Sequence, residues 1–532
     1  MIKKLDIRKY SNILVFSISL IPLILFLFII WNRLALPFVF EWGESAGLNQ
    51  IYRILSGGAL YEQPTLEFSP LVYTPLYYFL AAGASKVIGN PLFSARLISA
   101  ISSIASVYLI IWIIQSETKN SLLAWISGMV YLACFALTDG FYDLARVDSL
   151  YILIVLIAFS VIREAKIKTG YFLFGVLVVV GFFIKQSFVI VFLPLHIYLL
   201  YRNWKLSWIT IAVEMIGISV PLFLINRSSE GWFFYYLFDL PKEHGYSFIS
   251  AVNFWIGDTI RPLGIMFAFS LVFLLLSRLD IDQIFNKSKN ISDSKNKIAP
   301  EDCWNDWWVY ALFFAGAAGA AWITRSSNGG GANNSMPIYA VLAISFGLGV
   351  GYVLKTKWVT EMPWLYGFIM LVISIQFIGL IYNPFNFLPT KDEIRLNLEM
   401  NSRIKGVDFP VLIPYRSHLS WELGQIPQIH IVNIFELTGY FKGKVQPAGV
   451  SLVNQIRMNI CRQVYGFIVL DQPVPWFDEQ LEIAYLQEPP INKDNTLYSD
   501  LLSWQRDNGG IFLKNSKYDL GLCLETITLD NE

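Results

Sequence analysis

The stretch "ILVFSISLIPLILFLFIIW" (residues 13–31) contains no charged residue and is close to the length of about 20 apolar residues that crosses a bilayer. The segment ahead of it, "MIKKLDIRKY" (1–10), is basic, as is typical of the cytoplasmic side of a span. No small-residue cleavage site follows, so we expect a retained signal anchor rather than a removed signal peptide. This stretch predicts an integral membrane protein.

The composition of the 532-residue chain supports this prediction. Hydrophobic residues make up 55% and charged residues 15%, which is too apolar for a soluble protein of this length. Basic and acidic residues number 40 each, and this balance indicates no nucleic-acid partner. The four cysteines form no CxxC motif or Cys/His cluster, which argues against a structural zinc or redox site. Cys461 and Cys523 lie in the polar C-terminal region, where they either pair in a disulfide or stay free.

Eleven apolar runs have about the length of a membrane span, so the predicted fold is an α-helical polytopic membrane protein with about eleven transmembrane helices. The predicted spans are 13–34, 92–114, 121–138, 149–163, 170–184, 187–201, 207–226, 251–277, 307–324, 337–355 and 363–383. A further run, 71–89, is short and carries Pro75 and three breaking or charged residues near its end. We expect this run to lie along the membrane surface as an interfacial helix.

The positive-inside rule predicts the orientation of the spans. If the N-terminus is cytoplasmic and 71–89 does not cross, the basic loops 163–168, 202–205, 286–297 and 355–357 all fall inside. If 71–89 crossed, all of these loops would move outside. The segments then predicted to share the outer face are 35–91, 138–149, 185–187, 227–250, 325–337 and the chain after about 384.

The C-terminal part differs in composition from the rest of the chain. It has ordinary charge density and short apolar runs separated by helical or turn-rich pieces, which is typical of a small α/β domain. The runs are "PVLIP" (410–414), "IHIVNIF" (429–435), "YGFIVLD" (465–471) and "IFLKN" (511–515). We therefore predict a transmembrane domain over residues 1–384 and an extracytoplasmic α/β domain over residues 385–532.

Two glutamates follow the first span directly, in "FVFEWGES" (38–45). Glu41 and Glu44 are three residues apart and would share a face of a helix. A carboxylate that is partly desolvated at the bilayer surface becomes a better base toward a hydroxyl group. The alternative is that both acids are solvated or cap the following helix.

The loop "TDGFYDLARVDS" (138–149) places Asp143, Arg146 and Asp148 between two spans. Charged residues beside a membrane are usually paired or functional. Arg146 either forms a structural ion pair with one of these aspartates, or offers its donors to a phosphate while an aspartate faces the two glutamates.

Lys185 and Gln186 lie between two apolar runs in "FFIKQSFVI" (182–190). Lys185 either snorkels from a helix end or provides the counter-charge to a phosphate. Arg96 and Arg325 are further candidates for the same phosphate site.

The loop "SSNGGGANNSMP" (326–337) is rich in glycine and asparagine and lacks the GK[ST] ending of a Walker loop. Its backbone can approach a ligand closely, and Asn333 and Asn334 can donate to sugar hydroxyls or phosphate oxygens, unless the loop is only a flexible turn. Tyr73 and Tyr77 either belong to an interfacial aromatic belt or contact an isoprenoid chain or a sugar face. With Gln186, these four residues are the candidate substrate-binding residues.

Together these motifs resemble the GT-C superfamily of glycosyltransferases. The motifs are "GGALYEQP" (57–64), "YTPLYYFL" (73–80), "ARLISAISS" (95–103), "DLARVDSL" (143–150), the Lys-Gln pair at 185–186 and the glycine-rich loop. The resemblance covers residues 35–200 well, residues 320–390 moderately and the C-terminal region poorly. Members of this superfamily are multi-pass enzymes that use polyprenyl-phosphate-linked sugars.

The resemblance implies a catalytic acid in the first outer loop and an acid in the second. Here the first is Glu41 or Glu44, and the second is Asp143 or Asp148. Many members carry an Asp-Glu pair in the first loop, whereas this chain has two glutamates three residues apart.

We expect a cell-membrane glycosyltransferase with its N-terminus in the cytoplasm and its C-terminal domain outside. A polyprenyl-phosphate donor, its lipid in the bilayer, would give its sugar to a hydroxyl of an envelope glycan, lipid or protein, by an inverting displacement with a carboxylate base. The single phosphate of the donor requires no metal or other cofactor, although a divalent metal stays an alternative. A transporter or flippase of lipid-linked sugars is the alternative function, but such proteins favour midplane sites and inverted repeats. A non-catalytic scaffold is the third interpretation.

Overall fold

The computed structural model describes residues 6–276, 307–407, 409–441, 444–488 and 510–529. All eleven predicted spans are helical over most of the residues described and depart from the helix only at their ends, at residues 34, 187 and 380–383. The basic loop 286–297 lies outside the described residues. Within the described ranges, seven helices are long and apolar enough to cross a membrane, or eight if one bent pair counts as a span. The prediction of a polytopic helical membrane protein is therefore confirmed. The helices that correspond to the predicted spans are Ile7–Arg33, Pro91–Thr118, Ser121–Ala133, Asp148–Glu164, Lys168–Ile184, Phe188–Ser228, Phe248–Leu276, Trp307–Arg325, Met336–Lys355 and Pro363–Gly379.

The turn between helices Pro91–Thr118 and Ser121–Ala133 shows how local chemistry sets the helix boundaries. Lys119 ends the first helix in a left-handed conformation with φ 55°. Asn120 then caps the second helix, because its side chain accepts hydrogen bonds from the backbone amides of Leu122 and Leu123.

The long helical segment Phe188–Ser228 is a hairpin of two spans. It breaks at Asn203, whose φ of −152° and ψ of 76° are not helical. Residues 18 apart would be separated by about 27 Å along a straight helix, yet Nε2 of His196 lies 2.8 Å from Oε1 of Glu214. The chain therefore folds back at Asn203, and the two spans predicted here are antiparallel neighbours.

The ambiguous run 71–89 contains the helix Leu76–Ile88, which ends at Gly89 with φ 88°. Its 13 residues rise about 20 Å, less than the hydrocarbon thickness of about 30 Å. The length of this helix agrees with the prediction that 71–89 does not cross. Its place at the membrane surface stays a prediction.

The loops predicted to share the outer face meet at one end of the helix bundle. Gln186 donates to the carbonyl of Val72 at 2.8 Å, which joins the loop 185–187 to the first outer loop. The side chain of Asn433, in the C-terminal region, donates to the carbonyl of Pro70 at 2.6 Å. The sequence placed these segments together correctly.

Polar contacts also join other loops and helix ends. Arg163 contacts Glu117 and the hydroxyl of Tyr310, each at 3.2 Å. Arg8, near the N-terminus, donates to the carbonyl of Thr360 at 2.7 Å. These residues belong to helix ends that the sequence assigns to the cytoplasm, although which end of the bundle faces outward stays a prediction.

The C-terminal region contains a three-stranded antiparallel sheet. The strands β1 (Phe467–Leu470), β2 (Tyr485–Gln487) and β3 (Gly510–Lys514) lie in the order β1-β3-β2. The surrounding helices are Lys391–Lys405, His418–Glu422, Ile431–Leu437, Pro447–Cys461, Asp478–Ala484 and Leu520–Leu529. A disulfide joins Cys461 to Cys523 and so fastens two of these helices together. The predicted small α/β region is confirmed.

Only two of the four apolar runs in this region form strands, namely 465–471 and 511–515. The run 429–435 begins a helix instead, because the side chain of His430 accepts a hydrogen bond from the backbone amide of Val432 and caps it. The run 410–414 makes a single bridge to β1.

The C-terminal region packs against the first outer loop. Leu60 and Phe68 share a hydrophobic cluster with Tyr415 and Ile429. The amide of Ile429 also donates to the carbonyl of Leu66 at 2.8 Å. The domain boundary near residue 385 stays a prediction, while the contacts place the C-terminal region over the loops that carry the candidate acids.

Candidate active site

A cavity of about 650 Å³ lies at the end of the bundle where the predicted outer loops meet. Its wall includes residues from the segment 241–246, residues from 323–329 around the end of the helix Trp307–Arg325, and C-terminal residues between 432 and 441. Six of the predicted site residues line this cavity, namely Glu41, Tyr73, Arg146, Lys185, Gln186 and Asn334.

The carboxylate of Glu41 lies at the cavity, one residue before the helix Trp42–Leu55. Its Oε2 is 3.1 Å from Nη1 of Arg146, and its side chain is 26% exposed. Gly43 makes this approach possible, because a Cβ at that position would overlap the guanidinium of Arg146. The glycine of the "EWGE" motif thus leaves room for the guanidinium of Arg146 beside Glu41.

A line of charged contacts continues from Arg146 along the cavity. Its Nε lies 3.9 Å from Oδ2 of Asp148, whose Oδ1 accepts a hydrogen bond from Lys185 at 2.8 Å. Lys185 also donates to Oδ1 of Asn334 at 3.1 Å. Burial lowers the pKa of Lys185, but Asp148, Tyr73 and Tyr151 together outweigh burial, so the pKa ends above its ordinary value and the ammonium persists.

Glu44 is fully buried and does not line the cavity. Its carboxylate accepts four hydrogen bonds, from Nε and Nη2 of Arg96 at 2.9 and 2.8 Å and from the amides of Phe40 and Ala145 at 2.7 Å each. Burial raises the pKa of Glu44, but Arg96 and the two amides outweigh burial and hold that pKa below its ordinary range. A carboxylate held in this way is a poor proton acceptor, so the geometry favours Glu41 over Glu44 as the base.

Arg96, the partner of Glu44, is also fully engaged in buried contacts. Its remaining hydrogen bonds go to the carbonyls of Arg33, Leu36 and Phe38, at 3.1, 3.0 and 2.5 Å. All three guanidinium nitrogens are engaged, and the side chain is 1% exposed. The geometry disfavours the prediction that Arg96 binds a donor phosphate and gives it the role of holding the first outer loop.

Two more predicted residues are engaged in structural contacts away from the cavity wall. Asp143 is buried, with Oδ2 3.5 Å from Nε of Arg33. Arg325 contacts Asp258 at 2.8 Å and the carbonyl of Gly330 at 2.5 Å. Neither is among the residues that line the cavity.

The predicted substrate-binding residues divide in the same way. Tyr77 is buried and donates to the carbonyl of Ala95 at 3.2 Å. Asn333 is buried beside Asp148 and hydrogen-bonds to it, so it orients that acid. Gln186 lines the cavity, and its Oε1 is buried with no hydrogen-bond partner among the described residues, which leaves it available to a ligand.

The helix that follows Glu41 is fastened to the C-terminal region by buried polar contacts. Ser45 Oγ lies 2.8 Å from Nδ1 of His418, and Asn49 donates to Ser417 Oγ at 2.6 Å. Burial is the main cause that lowers the pKa of His418 well below its usual value, so the imidazole stays neutral. These contacts set the position of Glu41 from outside the transmembrane helices.

The sequence reasoning missed one group of cavity residues. His244 pairs with Glu436, and both line the cavity together with Tyr440 and Phe441. Burial lowers the pKa of His244, but Glu436 raises it above its ordinary value. The only signal was a histidine in a predicted outer loop, in a chain with four histidines.

The described residues hold no group of three or more His, Cys, Asp or Glu side chains placed to bind a metal ion.

Residues 72–226 match the family described as dolichyl-phosphate-mannose-protein mannosyltransferase. The fold is similar to the crystal structure of ArnT from Cupriavidus metallidurans bound to undecaprenyl phosphate, with a TM-score of 0.58 and 11% identity over 94% of this chain and 98% of that chain. The apo structure of the same protein matches with a TM-score of 0.55 and 11% identity, over 87% and 95%. A search of curated proteins finds no significant match. The family match over residues 72–226 and the similar fold agree with the resemblance to the GT-C superfamily that the motifs indicated.

Proposed function

We propose that this protein transfers a sugar from a polyprenyl-phosphate donor to an acceptor hydroxyl in the cavity. The observation that carries the proposal is that one carboxylate, Glu41, and two cations, Arg146 and Lys185, line the same cavity at one end of the helix bundle. A base and a phosphate site are the two parts that displacement at an anomeric carbon needs. The ArnT structure bound to undecaprenyl phosphate supports a lipid phosphate as the leaving group.

The phosphate would bind between Arg146 and Lys185. Arg146 already contacts Glu41 and Asp148, and Lys185 contacts Asp148. A phosphate that draws Arg146 toward itself weakens the contact of this cation with Glu41, so donor binding releases the base. The two cations then neutralise the charge that grows on the departing phosphate.

The reaction is a single displacement. The acceptor oxygen forms a bond to the anomeric carbon, while the bond from that carbon to the phosphate oxygen breaks and polyprenyl phosphate leaves with the electron pair. Glu41 takes the proton of the acceptor hydroxyl. Attack from the side opposite to the phosphate inverts the configuration of the anomeric carbon.

A transporter or flippase of lipid-linked sugars is the second candidate function. It would need the same cations to bind the phosphate, but it would not need a base. Glu41 at the cavity therefore favours the transferase.

The test uses the purified full-length protein in lipid nanodiscs, with a panel of labelled undecaprenyl-phosphate sugars and extracted envelope acceptors. We expect transfer by the parent and a loss of about 100-fold or more in Glu41→Gln. The matched control is Glu361→Gln, an exposed glutamate that pairs with Lys357. Transfer by Glu41→Gln at the parental rate would refute the assignment of the base. If the parent moves lipid-linked sugar across the membrane of vesicles and transfers no sugar to an acceptor, the alternative function as a transporter is correct.

The predicted orientation is tested separately by reporter fusions. We expect a cytoplasmic signal from a fusion after residue 119 and an extracytoplasmic signal from one after residue 390. A cytoplasmic signal at 390 would place the cavity on the inner face.

A further inference from the structure

Part of the cavity wall is aromatic. The rings of Phe435 and Tyr440 stack with centroids 4.2 Å apart and planes 16° from parallel. Phe441 packs against Tyr440 at 5.6 Å, and all three residues line the cavity. Tyr440 is 50% exposed although Phe435 covers one of its faces, so its uncovered surface is available to a ligand. We name these three residues the aromatic wall.

A carboxylate lies beside the aromatic wall. Glu436 lines the cavity and is paired with Nε2 of His244, which holds the carboxylate in one orientation. The ring of His244 lies 5.7 Å from that of Phe441. The surface therefore combines apolar ring faces with a fixed hydrogen-bond acceptor, which is the usual composition of a small-molecule site.

The backbone around this surface is tied down on both sides. The amide of Gly245 donates to the carbonyl of Phe441 at 3.1 Å, and the amide of Asn328 donates to the carbonyl of Gly245 at 2.9 Å. The segment around His244 thus bridges the glycine-rich loop and the C-terminal region. The aromatic wall and the carboxylate are consequently held in fixed positions relative to each other, as a preformed binding site requires.

We propose that the aromatic wall and Glu436 bind a neutral sugar ring of the acceptor, so that the acceptor is a saccharide. The C–H face of a pyranose ring packs on an aromatic ring, and its hydroxyl groups donate to a carboxylate. The proposal rests on the proposed function, because only a transferase has an acceptor.

The charges of the cavity argue against other acceptors. Among the described lining residues the fixed cations are Arg146 and Lys185, both already in contact with carboxylates. A phosphorylated acceptor at the aromatic wall would meet Glu436, whose charge His244 already balances, and would find no unpaired cation among these lining residues. An acyl chain there would strip water from the carboxylate without replacing its hydrogen bonds, which is unfavourable.

Saturation-transfer NMR on the full-length protein in nanodiscs tests the proposal without any catalysis. The probes are three neutral oligosaccharides (maltotriose, N,N′-diacetylchitobiose and mannotriose), a bisphosphorylated glucosamine disaccharide and a Ser/Thr hexapeptide. We expect at least one neutral oligosaccharide to bind, with the signal reduced at least about fivefold in Tyr440→Ala and reduced in Glu436→Gln. The matched control is Tyr201→Ala, a 90% exposed tyrosine that does not line the cavity.

The outcomes separate the acceptor site from the catalytic assignment. Binding that disappears in Tyr440→Ala and persists in Tyr201→Ala supports the aromatic wall, even if Glu41→Gln later proves active and the base has to be reassigned. The proposal is overturned if no neutral oligosaccharide binds, if only the phosphorylated sugar or the peptide binds, or if Tyr440→Ala binds as the parent does.

Discussion

The substitution Glu44→Gln separates the structural role of Glu44 from the catalytic role proposed for Glu41. Each carboxylate oxygen of Glu44 accepts one bond from Arg96 and one from a backbone amide. An amide side chain keeps one accepting oxygen, but it turns an NH₂ group toward the other two donors. Two hydrogen bonds are lost and the buried Arg96 loses its direct ion-pair partner.

The size of the effect follows from these contacts. Breaking a buried ion pair by removing one partner costs about 3–5 kcal/mol. The pair between Glu41 and Arg146 is partly exposed, so Glu41→Gln should cost below about 1 kcal/mol. We expect Glu44→Gln to be destabilised by about 3–5 kcal/mol, whereas Glu41→Gln should fold normally and fail to transfer sugar.

Unfolding by sodium dodecyl sulfate in mixed micelles, followed by circular dichroism, measures the free-energy difference between the variants. Transfer assays on the fraction that remains folded give the activity. The reasoning is refuted if Glu44→Gln is as stable as the parent and inactive while Glu41→Gln is active, because Glu44 would then be the base.

Three further outcomes are expected. Lys185→Met should raise the KM for a polyprenyl-phosphate sugar by about tenfold or more, because a charge-assisted bond to the phosphate is worth about 1.5–3 kcal/mol. The control is Lys242→Met, which changes an exposed lysine outside the cavity wall. Equal KM values for Lys185→Met and the parent would exclude Lys185 from the phosphate site. The pKa of His244 is raised by its glutamate partner, so the stability of this contact is complete below the unfolded value of about 6.5 and is lost as the pH rises through the higher folded value. Hydrogen exchange of residues 240–247, corrected for its intrinsic pH dependence, should therefore accelerate at alkaline pH, and a parent that shows the same pH profile as His244→Phe would contradict this. Cys523→Ser removes the disulfide with Cys461 and should destabilise the C-terminal region by about 2–4 kcal/mol. The measurement is an earlier loss of protection from hydrogen exchange in that region. Unchanged protection from exchange would show that the disulfide contributes nothing to the stability of this region.

Much of the membrane part could be predicted because the bilayer constrains it strongly. A span must be apolar and helical over most of its length, so the eleven runs could be located one by one from hydropathy. The distribution of basic loops then placed the segments bearing Glu41, Arg146 and Lys185 at the same end of the bundle, and the structure brings these three residues to one cavity. The C-terminal region was predicted less well, since the helix at Ile431–Leu437 begins with a capping contact that an apolar run does not reveal.

The candidate site shows where sequence reasoning ended. Glu41 and Glu44 look alike in the sequence, as do Arg96 and Arg146. Their roles differ because a single turn of helix points Glu44 into the bundle toward Arg96, whereas Glu41 lies before the helix at the cavity. The pairing of His244 with Glu436, 192 residues apart, could not be anticipated from any local pattern.

The sequence by itself determined that the chain is a polytopic membrane protein, that its motifs resemble those of the GT-C superfamily, and which loops gather at one end. Bilayer thickness and loop charge act on local stretches of chain, so these features can be read locally. Only the tertiary structure decided which acid is buried with an arginine and which faces the cavity, and that aromatic residues of the C-terminal region complete the wall. Burial and pairing depend on neighbours that are distant in sequence, and those neighbours decide whether a carboxylate holds the fold together or remains free to take a proton.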